Sequence, residues 1–120
     1  MKQGSLNQLT DETFNQVISE PGIKVVIFTA PSCITCHQHI SYLEPHQGDI
    51  NAPLYEVNGA SCPNTIQSLG ITKAPAVRVF APDGDCRAVN ADQPTPAMVE
   101  QINEVVDGLW EVYTKGGNAQ

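Results

Sequence analysis

The feature that most constrains the fold of this chain is the segment Lys24-Val-Val-Ile-Phe-Thr29, a run of β-branched and aromatic residues without polar alternation. Consecutive apolar side chains point to opposite faces of a strand, so both faces of this strand must be covered. Strands of this kind are typical of sheets with helices on both sides. We therefore expect this segment to form the central strand of an α/β fold.

Capping and turn signals divide the rest of the chain into alternating helices and strands. Thr10 precedes a helical pattern that Pro21 and Gly22 end, and Thr95 with Pro96 opens the longest amphipathic stripe. A helix joins the first two strands, which are therefore expected to run parallel. The sequence thus predicts a central mixed sheet of four to five strands covered by helices on both faces. In chain order, the predicted elements are a helix after residue 10, the strand 24–29, a helix at 33–43, a strand at 53–58, a helix at 62–69, a hairpin with strands 76–80 and 86–89 around the turn 82–84, and a helix from residue 95.

Length and charge limit the domain organisation and the classes of partner. The 120 residues are enough for a single domain, 1–120, of which only the tail 115–120 is expected to be frayed. A formal net charge of −7 argues against binding to nucleic acid or to anionic membranes. No apolar run is long enough to cross a bilayer, and residues 1–8 lack the apolar stretch of a secretory signal. We expect a cytoplasmic protein.

Two of the four cysteines, Cys33 and Cys36, are separated by only two residues and directly follow the predicted central strand. This spacing alone is compatible with a redox pair or with metal ligation. At the start of a helix, free amides and the helix dipole favour a thiolate, which makes Cys33 the expected nucleophile and Cys36 the thiol that resolves a mixed disulfide. Ile34 and Thr35 add no positive charge, which favours a reductant or a weak exchanger. The cycle needs no cofactor.

Three segments give the chain a resemblance to the thioredoxin family. Residues 25–36 look like the family's strand, turn and active-site helix, residues 70–80 resemble its proline loop and following strand, and Asp83-Gly84 is similar to its hairpin turn. The resemblance implies a thioredoxin-like fold that usually functions as a monomer. It also implies an exposed Cys33, a resolving Cys36, and a cis Pro75 facing them. The backbone at Ala74 is expected to pair with an extended substrate segment.

The sequence departs from the family's pattern at the site itself. Ser32 stands where the family usually has tryptophan, Ile34-Thr35 replace its glycine-proline insert, and Ile27 occupies the position of a buried aspartate. Glu56 stands where a lysine normally accompanies that aspartate, so the carboxylate has moved to the neighbouring strand. A buried Glu56 is predicted to accept the proton of Cys36 during resolution. The residues expected to contact substrate are Ser32, Ile34, Thr35, Lys73 and Ala74.

Other reactive residue types have simpler interpretations. Cys62 and Cys86 are expected to be small buried hydrophobes, with regulatory oxidation as the alternative. The three histidines, His37, His39 and His46, are expected on a water-exposed helix, although His37 is a candidate modulator of the thiol at Cys33. Lys73 is either a solvated charge or a contact to the backbone of a partner. Trp110 is expected to pack with the apolar stripe of the last helix, with an exposed partner surface as the alternative.

The leading functional prediction is a thiol–disulfide oxidoreductase that reduces or exchanges disulfides of protein substrates. A reductase or a small thiol such as glutathione would return its electrons. One alternative is a non-catalytic interaction module in a larger assembly, because this fold alone does not fix function. A zinc domain built on Cys33, Cys36 and histidines ranks last, because zinc sites usually show two clustered ligand pairs.

Overall fold

A computed structural model describes residues 6–118 of the chain. All of its strands belong to one sheet with the order β1-β3-β2-β4-β5. The predicted α/β class and mixed sheet are confirmed. In chain order the elements are β1 (Asn7–Gln8), α1 (Asp11–Ile18), β2 (Lys24–Thr29), α2 (Ile34–Leu43), a 3-10 helix (Glu44–Asp49), β3 (Leu54–Asn58), α3 (Pro63–Leu69), β4 (Ala76–Phe80), β5 (Cys86–Val89) and α4 (Pro96–Asn118).

Strand β2 is the centre of the sheet and is buried along its whole length. It pairs in parallel with β3, as expected for strands joined by a helix, and antiparallel with β4. Strand β1 was not predicted from the sequence. It pairs in parallel with β3 through Asn7 and Gln8, both of which are exposed. Two exposed polar residues carry no hydrophobic pattern, so only their tertiary pairing defines this strand.

Helices cover both faces of the sheet. We call one face the α2/α4 face, because Leu43 of α2 and the apolar stripe of α4 pack there against β2 residues such as Val25 and Ile27. We call the other the α1/α3 face, where Phe14 of α1 packs with Val26 and other residues that alternate with the first set. This two-sided burial is what the unbroken apolar run of β2 required. The amphipathic stripe of α4 contributes Val99, Ile102, Val106 and Leu109 to the core of the α2/α4 face, and Tyr113 of the same stripe packs against it partly buried.

Local signals set most helix ends as predicted. The Thr10 hydroxyl accepts a hydrogen bond from the backbone N–H of Thr13, which caps α1. Helix α3 begins at Pro63 and ends at Leu69. The next residue, Gly70, has a φ of 68°, the left-handed conformation that glycine adopts readily. Helix α2 stops at Leu43, and the chain continues as a 3-10 helix instead of an open loop.

Several sequence expectations are wrong or incomplete. The apolar pattern of residues 34–43 predicts that Ile34 lies with Cys36 on one covered side of the helix, but Ile34 is 75% exposed. Trp110 packs only in part, since its ring contacts that of Tyr113 but 49% of its surface is exposed. His39 was expected in water but is fully buried. The tail expected to fray from Lys115 continues α4 to Asn118, and its last two residues lie outside the described part. No helix within residues 6–118 has the length and hydropathy of a membrane span.

Candidate active site

Cys33 is the N-cap residue of α2. Its backbone is extended, and its Sγ accepts a hydrogen bond of 3.1 Å from the backbone N–H of Cys36. The first amides of a helix lack partners within the helix, and the aligned peptide dipoles make this end positive. The Cys33 sulfur therefore lies where negative charge is stabilised, as the position at a helix start predicted.

Cys36 lies in the first turn of α2 and is joined to Cys33 by a disulfide, with 5.2 Å between the two Cα atoms. The two cysteines differ in exposure: Cys33 is partly exposed, whereas Cys36 is only 2% exposed. A partner can therefore reach Cys33 directly and Cys36 only through Cys33. This difference is the one that a nucleophile and a resolving thiol require.

The loop before β4 faces the disulfide. The peptide bond between Ala74 and Pro75 is cis, which is the isomer that the family resemblance implied. The carbonyl oxygen of Ala74 lies 3.9 Å from the Sγ of Cys33. This loop also borders a cavity of about 250 Å³ whose lining is largely apolar and includes Phe28, Ile66 and Ile71.

The other residues expected to contact substrate surround Cys33. Ser32, Ile34 and Thr35 are exposed. Ser32 has a φ of 61°, a left-handed conformation that is uncommon for a residue other than glycine. Lys73 is exposed and lines both the 250 Å³ cavity and a second one of about 320 Å³ on the other side of Pro75. These positions form a rim of exposed side chains next to the accessible sulfur.

Glu56 is buried, with 9% of its surface exposed. Its Oε2 accepts a hydrogen bond of 2.7 Å from the Thr29 hydroxyl, and its Oε1 accepts a longer one of 3.4 Å from Gln8. Glu56 is in register with Ile27 of β2, and paired residues point to the same face, so Glu56 lies on the α2/α4 face. Its position on this face agrees with the predicted site, while its role in proton transfer stays a prediction.

The histidines and the single cysteines lie apart. His37 is exposed, and the ring of His46 stacks on that of Tyr42. In the described part of the chain, no three histidine, cysteine, aspartate or glutamate side chains converge as metal ligands. Cys62 is fully buried, and its thiol donates a hydrogen bond of 3.0 Å to the Leu9 carbonyl oxygen. Burial raises the pKa of Cys62, and the charge of Asp11 raises it further. Cys86 was also expected to be buried, but it is partly exposed, and it is unpaired.

Sequence reasoning did not identify two residues that contact this site. Thr29, the last residue of β2, holds the Glu56 carboxylate. His39 contacts the carbonyl oxygen of Thr35, between the two cysteines. A signal for His39 was present, because it follows Cys36 by three residues and precedes Leu43 by four, and both of these are buried positions of α2.

The helix-covered mixed sheet, the cysteine pair at the start of α2 and the proline loop opposite it define a protein of the thioredoxin-like class with a Cys-x-x-Cys site. The family model described as Thioredoxin matches residues 5–104. The chain belongs to the thioredoxin family, and the predicted thioredoxin-like fold is confirmed. No curated protein matches the chain significantly.

Solved structures share the fold at low sequence identity. One comes from a study of the thiol-resolving mechanism of yeast mitochondrial 1-Cys peroxiredoxin via glutathione and thioredoxin systems. It has a TM-score of 0.72 and 17% identity, over 87% of this chain and 99% of that chain. Another is the first thioredoxin domain of mouse protein disulfide-isomerase A4. It has a TM-score of 0.71 and 16% identity, over 91% of this chain and 78% of that chain. At such identities these likenesses concern the fold alone.

Proposed function

We propose that this protein is a thiol–disulfide oxidoreductase that reduces or exchanges disulfides in other proteins. The observation that carries the proposal is the asymmetry of the pair. The partly exposed Cys33 lies at the positive end of α2 and is bonded to the buried Cys36. Membership of the thioredoxin family supports the same chemistry.

The proposed cycle moves two electrons. The Cys33 thiolate attacks one sulfur of the substrate disulfide, which forms a mixed disulfide and releases the other substrate sulfur as a thiolate that takes up a proton. Cys36 then loses its proton and attacks the Cys33 sulfur, so that the second substrate thiol leaves and the Cys33–Cys36 disulfide forms. The dithiol of a reductase, or two molecules of a small thiol such as glutathione, reduces this disulfide again.

The remaining site residues have roles in this proposal. An extended substrate segment pairs with the backbone at Ala74, beside the Cys33 sulfur. The exposed rim of Ser32, Ile34, Thr35 and Lys73 contacts the substrate on either side of its disulfide.

Glu56 accepts the Cys36 proton during resolution, since it is buried on the sheet face that α2 covers. The protein acts as a monomer in a reducing, cytoplasmic compartment, where the unpaired Cys62 and Cys86 stay reduced.

The direct test is reduction of insulin with a small dithiol as the electron source. Wild-type protein should accelerate the reduction, and Cys33→Ser should abolish the acceleration. Cys36→Ser should accumulate a mixed disulfide at Cys33, and mass spectrometry then identifies the partner that is attached. Cys86→Ser, which removes an unpaired cysteine from an edge strand, is the matched control and should behave as wild type. Wild-type rates no higher than those of Cys33→Ser would reject catalysis and favour an interaction module.

A further inference from the structure

His39 is a fully buried titratable side chain that the proposed cycle does not use. Both of its ring nitrogens contact backbone carbonyl oxygens. Nδ1 lies 2.8 Å from the oxygen of Thr35, and Nε2 lies 2.6 Å from the oxygen of Ala91. Thr35 is between the two active-site cysteines, and Ala91 is in the loop between β5 and α4. The ring therefore connects the first turn of α2 to a segment 52 residues away along the chain.

The two contacts place a strict requirement on the protonation of this ring. A carbonyl oxygen accepts hydrogen bonds and cannot donate one, whereas a neutral imidazole has a single N–H. A neutral His39 would direct the lone pair of one nitrogen at a carbonyl oxygen less than 3 Å away. Only the imidazolium cation donates at both nitrogens. Both contacts are thus satisfied together only when the ring is charged.

The ionisable groups around His39 include the buried cysteine of the pair. On α2, Cys36 precedes His39 by three residues, and both are buried, so they lie on one helix face. On the sheet, Glu56 lies on the α2/α4 face that α2 covers. In the loop after β5, Asp92 follows Ala91 and is exposed. The buried α4 residues on this face are apolar. A positive charge on the His39 ring favours a negatively charged sulfur in the reduced pair, whereas the negative charge of Glu56 disfavours it.

We propose that His39 is a positioning residue held as the imidazolium between Thr35 and Ala91, and that its buried charge shifts the Cys33–Cys36 pair toward the dithiol, making the disulfide a stronger oxidant. The inference rests on the proposed function, since it gives His39 a role in that redox cycle. His39 exchanges no proton with the cysteines, because both of its N–H groups are occupied by carbonyl oxygens. Reduction by glutathione converts the disulfide and two glutathione molecules into the dithiol and one glutathione disulfide.

The protonation of His39 is measured on the wild-type protein by NMR of ¹⁵N-labelled histidine rings. At neutral pH we expect both ring nitrogens of His39 to give N–H-type signals. One N–H-type and one lone-pair-type signal would overturn the inference. This measurement needs neither a variant nor a substrate.

The effect on the pair is measured as the equilibrium of wild type and His39→Gln with glutathione and glutathione disulfide. Glutamine retains an amide donor but no charge. We expect the His39→Gln equilibrium to shift toward the disulfide by on the order of tenfold, as for two unit charges about 9 Å apart in a protein, which is the rise of the six helical residues from Cys33 to His39. An unchanged equilibrium would overturn the inference, because a merely structural histidine would alter stability alone.

His46→Gln is the matched control. Its Nδ1 also lies close to a carbonyl oxygen four residues earlier, that of Tyr42 at 2.7 Å, but it is in the 3-10 helix after α2. The His46→Gln variant should leave the glutathione equilibrium unchanged. A shift equal to that of His39→Gln would overturn the specific role of His39. If His39→Gln does not fold, the NMR measurement alone decides. Failure of wild type to reduce insulin would reject the proposed function separately, since neither readout depends on a protein substrate.

Discussion

Replacing Glu56 by glutamine tests whether a buried carboxylate takes the proton of Cys36 during resolution. The substitution keeps the shape of the side chain but removes the negative charge and the basic oxygen. Glu56 is 9% exposed, so bulk water has little access to it. It shares the α2/α4 face with α2, where Cys36 is almost fully buried. A water-excluded thiol needs a nearby acceptor, and Glu56 is the buried carboxylate on this face.

The structure sets separate expectations for rate and for stability. A positioned general base contributes about 10²- to 10⁴-fold, so Glu56→Gln should slow resolution about 100-fold near neutral pH. The hydrogen bond of 2.7 Å from Thr29 loses its charged acceptor. Bonds to charged groups contribute about 1.5–3 kcal/mol, but the Thr29 hydroxyl can rotate to pair with the amide. We therefore expect a loss of about 1 kcal/mol in the free energy of unfolding, which leaves the variant folded.

The assay separates the two steps of the cycle. Reduced protein is mixed rapidly with an aromatic disulfide, whose first thiolate reports formation of the mixed disulfide and whose second reports resolution. Glu56→Gln should slow only the second step and flatten its pH dependence. Glu100→Gln makes the same chemical change on an exposed position of α4 and should match wild type. An unchanged rate and pH profile of resolution in a folded Glu56→Gln protein would refute the role of the carboxylate.

Three further predictions concern other parts of the molecule. Ile34→Ser should change the free energy of unfolding by no more than about 0.5 kcal/mol, because Ile34 is 75% exposed. The same variant should slow exchange with a protein disulfide about fivefold, equivalent to about 1 kcal/mol of lost contact. If the substitution changed the exchange rates with protein disulfides and with small disulfides equally, this prediction would be contradicted. Hydrogen bonds from the backbone and hydroxyl of Thr65 hold the pKa of Asp11 below 3.8 in the folded protein. In this pH range the folded state binds fewer protons at Asp11 than the unfolded state does. The stabilisation is therefore complete above pH 3.8 and is lost as the pH falls through the lower pKa that Asp11 has in the folded protein. Asp11→Asn should therefore be less stable at neutral pH and show a flatter loss of stability in acid denaturation, and parallel curves would argue otherwise. Burial raises the pKa of Cys62, so native reduced protein should resist alkylation at this residue until it unfolds. Labelling of Cys62 as fast as that of the partly exposed Cys86 would disprove this.

Features set by local sequence were predictable in this chain. The unbroken apolar run from Val25 to Phe28 requires cover on two faces, and this determined the layer architecture. Thr10, Pro63 and Gly70 act within one turn of a helix end, so their effect is visible in a short window. The position of Cys33 at the start of α2 followed from the same local reasoning.

Features set by contacts between distant segments were not predictable. Strand β1 exists because Asn7 meets Tyr55, which no local pattern encodes. Ile34 is the first residue of α2 and is 75% exposed, so its apolar side chain finds little cover within the described part of the chain. His39 is buried because a carbonyl oxygen 52 residues away completes its hydrogen bonds. Each case depends on a partner that hydrophobic periodicity does not specify.

The proposed roles of Glu56 and His39 both concern the charge around the cysteine pair. The β2 residue paired with Glu56 is the uncharged Ile27, and His39 is an ionisable ring on α2. A carboxylate disfavours negative charge on a neighbouring sulfur, whereas an imidazolium favours it. Glu56→Gln and His39→Gln should therefore move the glutathione equilibrium in opposite directions, and the double variant should return toward the wild-type value. Shifts of the same sign would mean that altered packing, and not charge, controls the pair.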